Sequence, residues 1–251
     1  HFDSFTGGGS TYKNDDVIRS QGCGVHRRKP ELIDEYEEDY HQLYIEQGSG
    51  THPHMLSHFA DLMQARLPNL DYTGQQFLDV GCSIGRALMI ANMLGFNCHG
   101  FDVSQFAVNF CRKKGFDCQQ AETFGGLYPD ERFDVVHCSH VIEHVPDPVF
   151  LIGELYRITK PGGICMLACP NYRSLPRLMK GKEWKIWCLD SHLWQFSLKQ
   201  MIHLFKSRGF ECLSAKTLHG WVPTSKFKRQ ALDYAALAGY GDAMTCLFLK
   251  K

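Results

Sequence analysis

The chain has no run of about 18 consecutive apolar residues, the length a helix needs to cross a bilayer, so no integral membrane segment is expected. Nor is any charged N-terminal stretch followed by an apolar core, which speaks against a signal peptide. An excess of one charge is also missing: Lys plus Arg and Asp plus Glu each number 27. A balanced chain carries no electrostatic footprint for a phosphate backbone, so no nucleic-acid partner is expected. The short basic run Lys226 to Arg229 reads as a solvated face beside an amphipathic stretch. A disulfide framework is absent as well. The eleven cysteines are odd in number and scattered, and Cys138, Cys165 and Cys169 fall inside segments patterned as strands. Reduced thiols in a cytoplasmic protein fit that distribution.

What remains is an ordinary globular composition, 44% apolar and 22% charged, in a 251-residue chain long enough for one α/β domain with additions. Residues 1 to about 20 are polar and include Gly7-Gly8-Gly9-Ser10, which reads as a flexible lead-in. Residues 31–47 carry Tyr36, Tyr40 and Tyr44 at the spacing of one helix face. The expected organisation is a lead-in and lid segment over 1–50, then one domain over 51–251. The spacing predicts a helix from Pro53 to Leu67, strand Phe77 to Val80, helix Gly85 to Leu94 and strand Asn97 to Phe101. Helix Ser104 to Lys114 follows with Ser104 as N-cap, then strands near Asp117 to Gln119 and at Phe133 to Ser139. Helix Asp147 to Thr159, a turn at Pro161-Gly162-Gly163 and strand Ile164 to Ala168 continue the rhythm. Such alternation specifies a parallel sheet with helices on both faces. About 25 irregular residues intervene, an insertion at about 171–197, before helix Leu198 to Ser207, strand Phe210 to Thr217 and a last strand Ala243 to Leu249.

The most informative segment is Leu78-Asp79-Val80-Gly81-Cys82-Ser83-Ile84-Gly85. A strand that ends in glycine-rich backbone and feeds a helix lets main-chain N–H groups approach a ligand, because glycine has no Cβ in the way. The dinucleotide fingerprint needs G-x-G-x-x-G; here the spacing is Gly81-x-Ser83-x-Gly85, which disfavours NAD or FAD. Asp102 ends the second strand, where a carboxylate can accept ribose hydroxyls. Its plainer alternative is a carboxylate set against the following helix N-terminus.

Four blocks in order carry a resemblance: Asp79 to Gly85, Phe101-Asp102, Phe133-Asp134-Val135-Val136 through Glu143-His144-Val145-Pro146-Asp147-Pro148, and Lys160-Pro161-Gly162-Gly163 ending in Pro170-Asn171. The run from Phe77 to Asn171 resembles class I S-adenosylmethionine-dependent methyltransferases, in particular the ubiquinone-biosynthesis O-methyltransferase-like branch. The likeness continues more weakly from His192 to Phe210. It implies a Rossmann-like seven-stranded, mostly parallel sheet whose last strand is antiparallel, and S-adenosylmethionine as cofactor. It also implies that Asp79, Gly81, Cys82 and Gly85 lie at the methionine and ribose, Asp102 at the ribose hydroxyls and Val103 at the adenine. Ala121 and Glu122 would lie near the adenine amino edge and His140 near the sulfonium. One departure is Ser83, where the family has a middle glycine.

Methyl transfer from a sulfonium already has a good leaving group, so the protein must align the acceptor and, for a hydroxyl, remove a proton. Histidine suits that task, and His140, His144 and His192 are the candidates. Within the irregular stretch, Trp184, Trp187, Trp194 and Phe196 are candidate walls of an acceptor pocket, which Tyr40 and its neighbours would close; core packing is the alternative. His140-x-x-Glu143-His144 also has the spacing of divalent-metal ligands, which keeps a metal-dependent hydrolase open as a second reading. That motif belongs on a long helix, whereas here Val145-Pro146 closes it, so the metal-free reading is preferred. Cys23-Gly24 resembles the end of a small zinc knuckle, but its partner cysteines are missing and no structural zinc is expected. A small-molecule acceptor, methylated on a hydroxyl oxygen, is the favoured reading; N- or C-methylation of a small molecule or macromolecule, and a non-catalytic cofactor-binding subunit, remain open.

Overall fold

The computed structural model describes residues 53–181, 184, 192–219 and 226–251, together with three short strands ahead of them. These are β1 (Tyr12–Asn14), β2 (Val17–Arg19) and β3 (His26–Arg28). They correct the expectation of a purely flexible lead-in, since β1 and β2 fall within the first 20 residues and pair antiparallel. The tyrosine stripe at 36–44, Trp187 and Cys23 lie outside the described residues.

Helix α1 (Pro53–Arg66) leads into β4 (Gln76–Val80), α2 (Arg86–Met93), β5 (Asn97–Asp102), α3 (Gln105–Lys113) and β6 (Asp117–Gln120). Next come β7 (Phe133–Ser139), α4 (Pro148–Ile158), β8 (Thr159–Pro170), α5 (Leu175–Lys180) and β9 (Trp194–Gln195). The chain ends with α6 (Leu198–Ser207), β10 (Phe210–Leu218), α7 (Lys226–Leu237) and β11 (Ala243–Lys250). Helix starts follow local chemistry. Ser104 Oγ accepts the Ala107 N–H at 3.3 Å, and Asp147 Oδ1 accepts the N–H groups of Val149 and Phe150 at 2.9 Å each. Ser197 and Gln200 form a reciprocal cap on α6.

Seven strands form one sheet in the order β10-β11-β8-β7-β4-β5-β6. β11 runs antiparallel to β8 and β10, while the pairs among β4 to β8 are parallel. This is the Rossmann-like sheet expected, with the last strand reversed. Side chains alternate across it with the period of two that strands impose. Leu78, Val136, Cys138, Cys165 and Leu167 join a core with Leu151, Ile152 and Leu155 of α4 and Met201 and Phe205 of α6. Phe77, Val135, Ile164 and Met166 join the opposite core, with Phe59 and Leu62 of α1 and Ala87 and Leu88 of α2. Helices therefore cover both faces, as the alternating pattern required.

Two local expectations change. Pro161-Gly162-Gly163 is not a turn ahead of a separate strand. β8 runs unbroken from Thr159, and its pairing with β7 shifts register between Phe133 and Val135, so the glycine pair sits in a bulge. The irregular stretch after Asn171 contains the short α5, capped by Ser174 Oγ on the Arg177 N–H. β9 belongs to a second, four-stranded sheet, β1-β2-β3-β9, in which His26 pairs with Gln195 and Arg27 with Trp194.

Because Asp147 alone satisfies two N–H groups of α4, Asp147→Ala is expected to lower unfolding stability by about 1 kcal/mol. Urea denaturation measures this, and an unchanged midpoint would remove the cap from the account.

Candidate functional site

β4 and β7 lie side by side where the chain order of the sheet reverses, and the loops leaving their carboxyl ends meet there. In open α/β sheets this is where a crevice opens for ligands. One loop is Gly81 to Gly85 and the other is the turn His140 to His144. They touch: a Cβ on Gly81 would stand 2.4 Å from Val141 Cγ2, and Gly81 has φ of 74°. Glycine is required there on both counts.

Hydrogen bonding within the first loop corrects one expectation. The N–H groups of Gly81 and Cys82 both donate to Phe101 O, at 2.8 and 2.9 Å, and the Gly85 N–H donates to Cys82 O at 2.8 Å. The Ser83 N–H donates to Asp102 Oδ2 at 2.8 Å. These four amides hold the loop itself in shape, so what the glycines contribute is room and backbone handedness. Asp102 is buried, and its Oδ1 accepts the Ser104 N–H at 2.9 Å at the start of α3. One carboxylate thus ties the loop after β4 to the helix after β5. Ser83, in place of the glycine expected by resemblance, has φ of 46°. A left-handed non-glycine residue costs about 1–2 kcal/mol, and the bond from its amide to Asp102 offsets part of that.

Asp79, expected at the cofactor, projects from β4 on the face opposite its neighbours Leu78 and Val80. Its Oδ1 accepts from His137 Nδ1 at 2.7 Å, and the two residues are opposed in the β4–β7 register. Burial raises the Asp79 pKa, and His137 opposes that rise. Beyond His137 stands His58, edge-on at 5.5 Å between ring centroids, with Nε2 donating to Leu167 O at 2.7 Å. Sequence reasoning missed His137 and His58. The available signal was a histidine inside an otherwise apolar strand, which needs a buried partner. Val103 is half exposed, and its carbonyl accepts from Gln120 Nε2 at 3.1 Å; Ala121 is part-buried and Glu122 exposed beyond the end of β6.

The second loop gathers the three histidine candidates around one carboxylate. Glu143 is 1% exposed, with Oε1 3.2 Å from His140 Nδ1 and 3.9 Å from His144 Nε2. The His144 and His192 rings meet edge-to-face, 4.7 Å apart. Burial acts to raise the Glu143 pKa. The hydrogen bond from His140 and the charges of His140, His144 and His192 outweigh it and hold the carboxyl down to about 2. Its second oxygen, Oε2, is buried without a hydrogen-bond partner among the described residues. Glu143, His144 and His192 place ligand atoms within 4.8 Å of one another, a grouping that differs from the sequence-derived trio by His192 in place of His140. His140 itself is part-exposed at the end of β7 with φ of 56°.

The aromatic candidates divide. Trp194 and Phe196 are core members, and Trp194 Nε1 donates to Val145 O at 2.8 Å. They brace the His140 to His144 loop from behind, which is the packing alternative rather than an open wall. Trp184 is buried, whereas Trp187 and Tyr40 lie outside the described residues. Asn171 is structural: its Nδ2 donates to the carbonyls of Gly239 and Gly241 at 3.1 and 2.8 Å, tying the end of β8 to the approach to β11.

A methyltransferase domain family model matches residues 37–215, well over half of the chain. The chain belongs to this methyltransferase family. It is similar to the ubiquinone biosynthesis O-methyltransferase of Thiobacillus denitrificans, 34% identical over 36% of this chain and 42% of that protein. The enzyme of the same name from Methylococcus capsulatus is 33% identical over 45% of this chain and 50% of that protein. The chain thus spans about half the length, or less, of these curated relatives. A solved S-adenosylmethionine-dependent methyltransferase from Archaeoglobus fulgidus superposes with a TM-score of 0.59 at 18% identity, over 85% of this chain and 100% of that one, a likeness of fold. Membership of a methyltransferase family leaves no support for the metal-dependent hydrolase weighed for His140, Glu143 and His144.

In this chain the depressed Glu143 pKa lies below its unfolded value of about 4.3, so ionised Glu143 adds stability above that value. That contribution is lost as pH falls toward about 2. The parent is therefore expected to be more stable than Glu143→Gln at pH 6, with the gap closing between about pH 4.3 and 2. Thermal melts across that range measure it; a constant gap would contradict the buried anion.

Proposed function

We propose that the chain binds S-adenosylmethionine in the crevice between Gly81 to Gly85 and His140 to His144, and passes its methyl group to a small-molecule acceptor on a hydroxyl oxygen. The observation that carries this reading is the Asp102 carboxylate, held at the carboxyl end of β5 beside the loop it shapes. A carboxylate has about four acceptor sites, an acceptor set complementary to the two hydroxyl donors of a vicinal diol such as a ribose. Bound there, the cofactor supplies a methyl group on a sulfonium. Val103, Ala121 and Glu122 follow β5 and β6 on the same side of the sheet and are assigned to the adenine. Asp79, Gly81, Cys82 and Gly85 are assigned to the methionine and ribose, Asp79 through the loop it underlies.

On the acceptor side, the imidazole of His192 or of His144 takes the hydroxyl proton, with His140 bordering the sulfonium. Glu143 stabilises the imidazolium that results, as a buried carboxylate beside histidine does. The unpartnered Glu143 Oε2 provides an acceptor for a donor group arriving from outside the chain. The pairing of β3 with β9 supports a lid role for residues 1–50, because it fastens the N-terminal segment to the 171–197 insertion beside His192. Trp184, with Trp187 and Tyr40, is assigned to the acceptor wall. That relatives are named for ubiquinone biosynthesis and O-methylation supports an oxygen acceptor. Among the described residues no helix is long and apolar enough to cross a membrane, and the described cysteines are unpaired, which supports the cytoplasmic placement.

Calorimetric titration with S-adenosylmethionine tests the cofactor half. Micromolar binding is expected, with Gly81→Val reducing it below detection, because the branched side chain meets Val141 in a left-handed backbone. Near-normal affinity in that variant would contradict the assignment. For the acceptor half, His192→Ala is expected to lower turnover about 100-fold or more while leaving cofactor affinity within a few-fold. Equal losses in both would make His192 structural.

A further inference from the structure

A second cluster of reactive groups lies behind the first loop. Cys82 leaves β4, Cys111 sits in the last turns of α3 and Cys118 lies on β6, and their sulfurs come within 4.8 Å of one another. All three are buried. We propose that Cys82, Cys111 and Cys118 form a binding site for a soft, thiophilic monovalent cation of the Cu(I) class.

The surroundings are shaped to the sulfurs. A Cβ on Gly100 would stand 2.6 Å from Cys118 Sγ and 3.0 Å from Cys82 Sγ, and one on Gly85 would stand 2.9 Å from Cys111 Sγ. Glycine at both positions leaves the space the thiols occupy. Three sulfurs each about 2.3 Å from a common centre in a plane stand about 4 Å apart, so shifts under about 1 Å close the trio on one ion. No carboxylate or imidazole joins the group among the described residues. An all-thiolate, three-donor set selects Cu(I) over hard cations, and it falls one ligand short of a structural zinc site. The guanidinium of Arg112, one residue beyond Cys111 on α3, sets a positive charge beside the sulfurs. Arg112 also donates from Nε to Cys118 O at 2.8 Å, so its charge stays beside the site.

Binding forms copper–sulfur bonds in place of S–H bonds, and the released protons pass to solvent. Copper remains Cu(I) and no electron moves. Because Cys82 lies between Gly81 and Ser83, the ion ties that loop to α3 and β6 at once.

The test titrates the full, reduced chain anaerobically with Cu(I) against a chromogenic Cu(I) chelator. One tight equivalent is expected in the parent and in Cys165→Ser, a buried thiol outside the trio, with affinity falling about 100-fold in Cys111→Ser and Cys118→Ser. Parent-like affinity in those two variants, or loss of binding in Cys23→Ser or Cys188→Ser instead, would overturn the proposal. Should the serine variants fail to fold, X-ray absorption of the Cu(I)-loaded parent decides. A shell of three sulfurs is expected, and a shell of two sulfurs, or one containing nitrogen or oxygen, overturns it.

Discussion

The carboxylate of Asp102 accepts the Ser83 amide with one oxygen and the Ser104 amide with the other, and the geometry of the crevice follows from that pair of bonds. Through Ser83 it holds the loop after β4 in a left-handed turn. Through Ser104 it fixes the start of α3, whose last turns return to the loop where Cys111 Sγ donates to Ser83 O at 3.2 Å. Charge-assisted bonds of this kind are about twice as strong as neutral ones and lose little to solvent when buried. The loop is therefore shaped before any ligand arrives, which lowers the cost of ordering on binding.

Beneath and beside this clasp the structure buries two further carboxylates in contrasting ways. Asp79 has a histidine partner within the sheet, but burial dominates and raises its pKa. Glu143 is as deeply buried, yet three histidines hold it ionised. A histidine-paired carboxyl on β4 and an ionised carboxylate in the turn after the neighbouring β7 thus lie close together, a division that suits the alignment and single proton transfer of the proposed function. Packing keeps them apart: Val141 fills the space between the loops, and Trp194 anchors the histidine turn from the core.

Much of this was legible in the sequence because local rules and the global fold agree. Strand and helix alternation from Phe77 to Ala168 predicts the sheet, and Ser104 and Asp147 mark helix starts that the structure caps with those side chains. The reading of Asp102 held two alternatives, a ribose ligand and a helix N-terminal carboxylate, and the Ser104 bond supplies the second directly. What sequence could not reveal depends on register. The pairing of Asp79 with His137 arises from the β4–β7 alignment across 58 residues, and the cysteine trio from three separate elements. Backbone amides of the loop looked open to ligand from the glycine pattern, but those of Gly81, Cys82, Ser83 and Gly85 go to Phe101, Asp102 and Cys82. The aromatic stretch misled in part because Trp194 and Phe196, although outside regular helices, point into the core. The β1 to β3 strands were hidden because strands of three residues carry no usable periodicity.

The most direct measurement is a crystal structure of the chain grown with S-adenosylhomocysteine, the demethylated product. The ligand's ribose hydroxyls are expected on Asp102 and its thioether facing the His140 to His144 turn. A ligand bound elsewhere on the sheet, with Asp102 touching only Ser83 and Ser104, would contradict that placement.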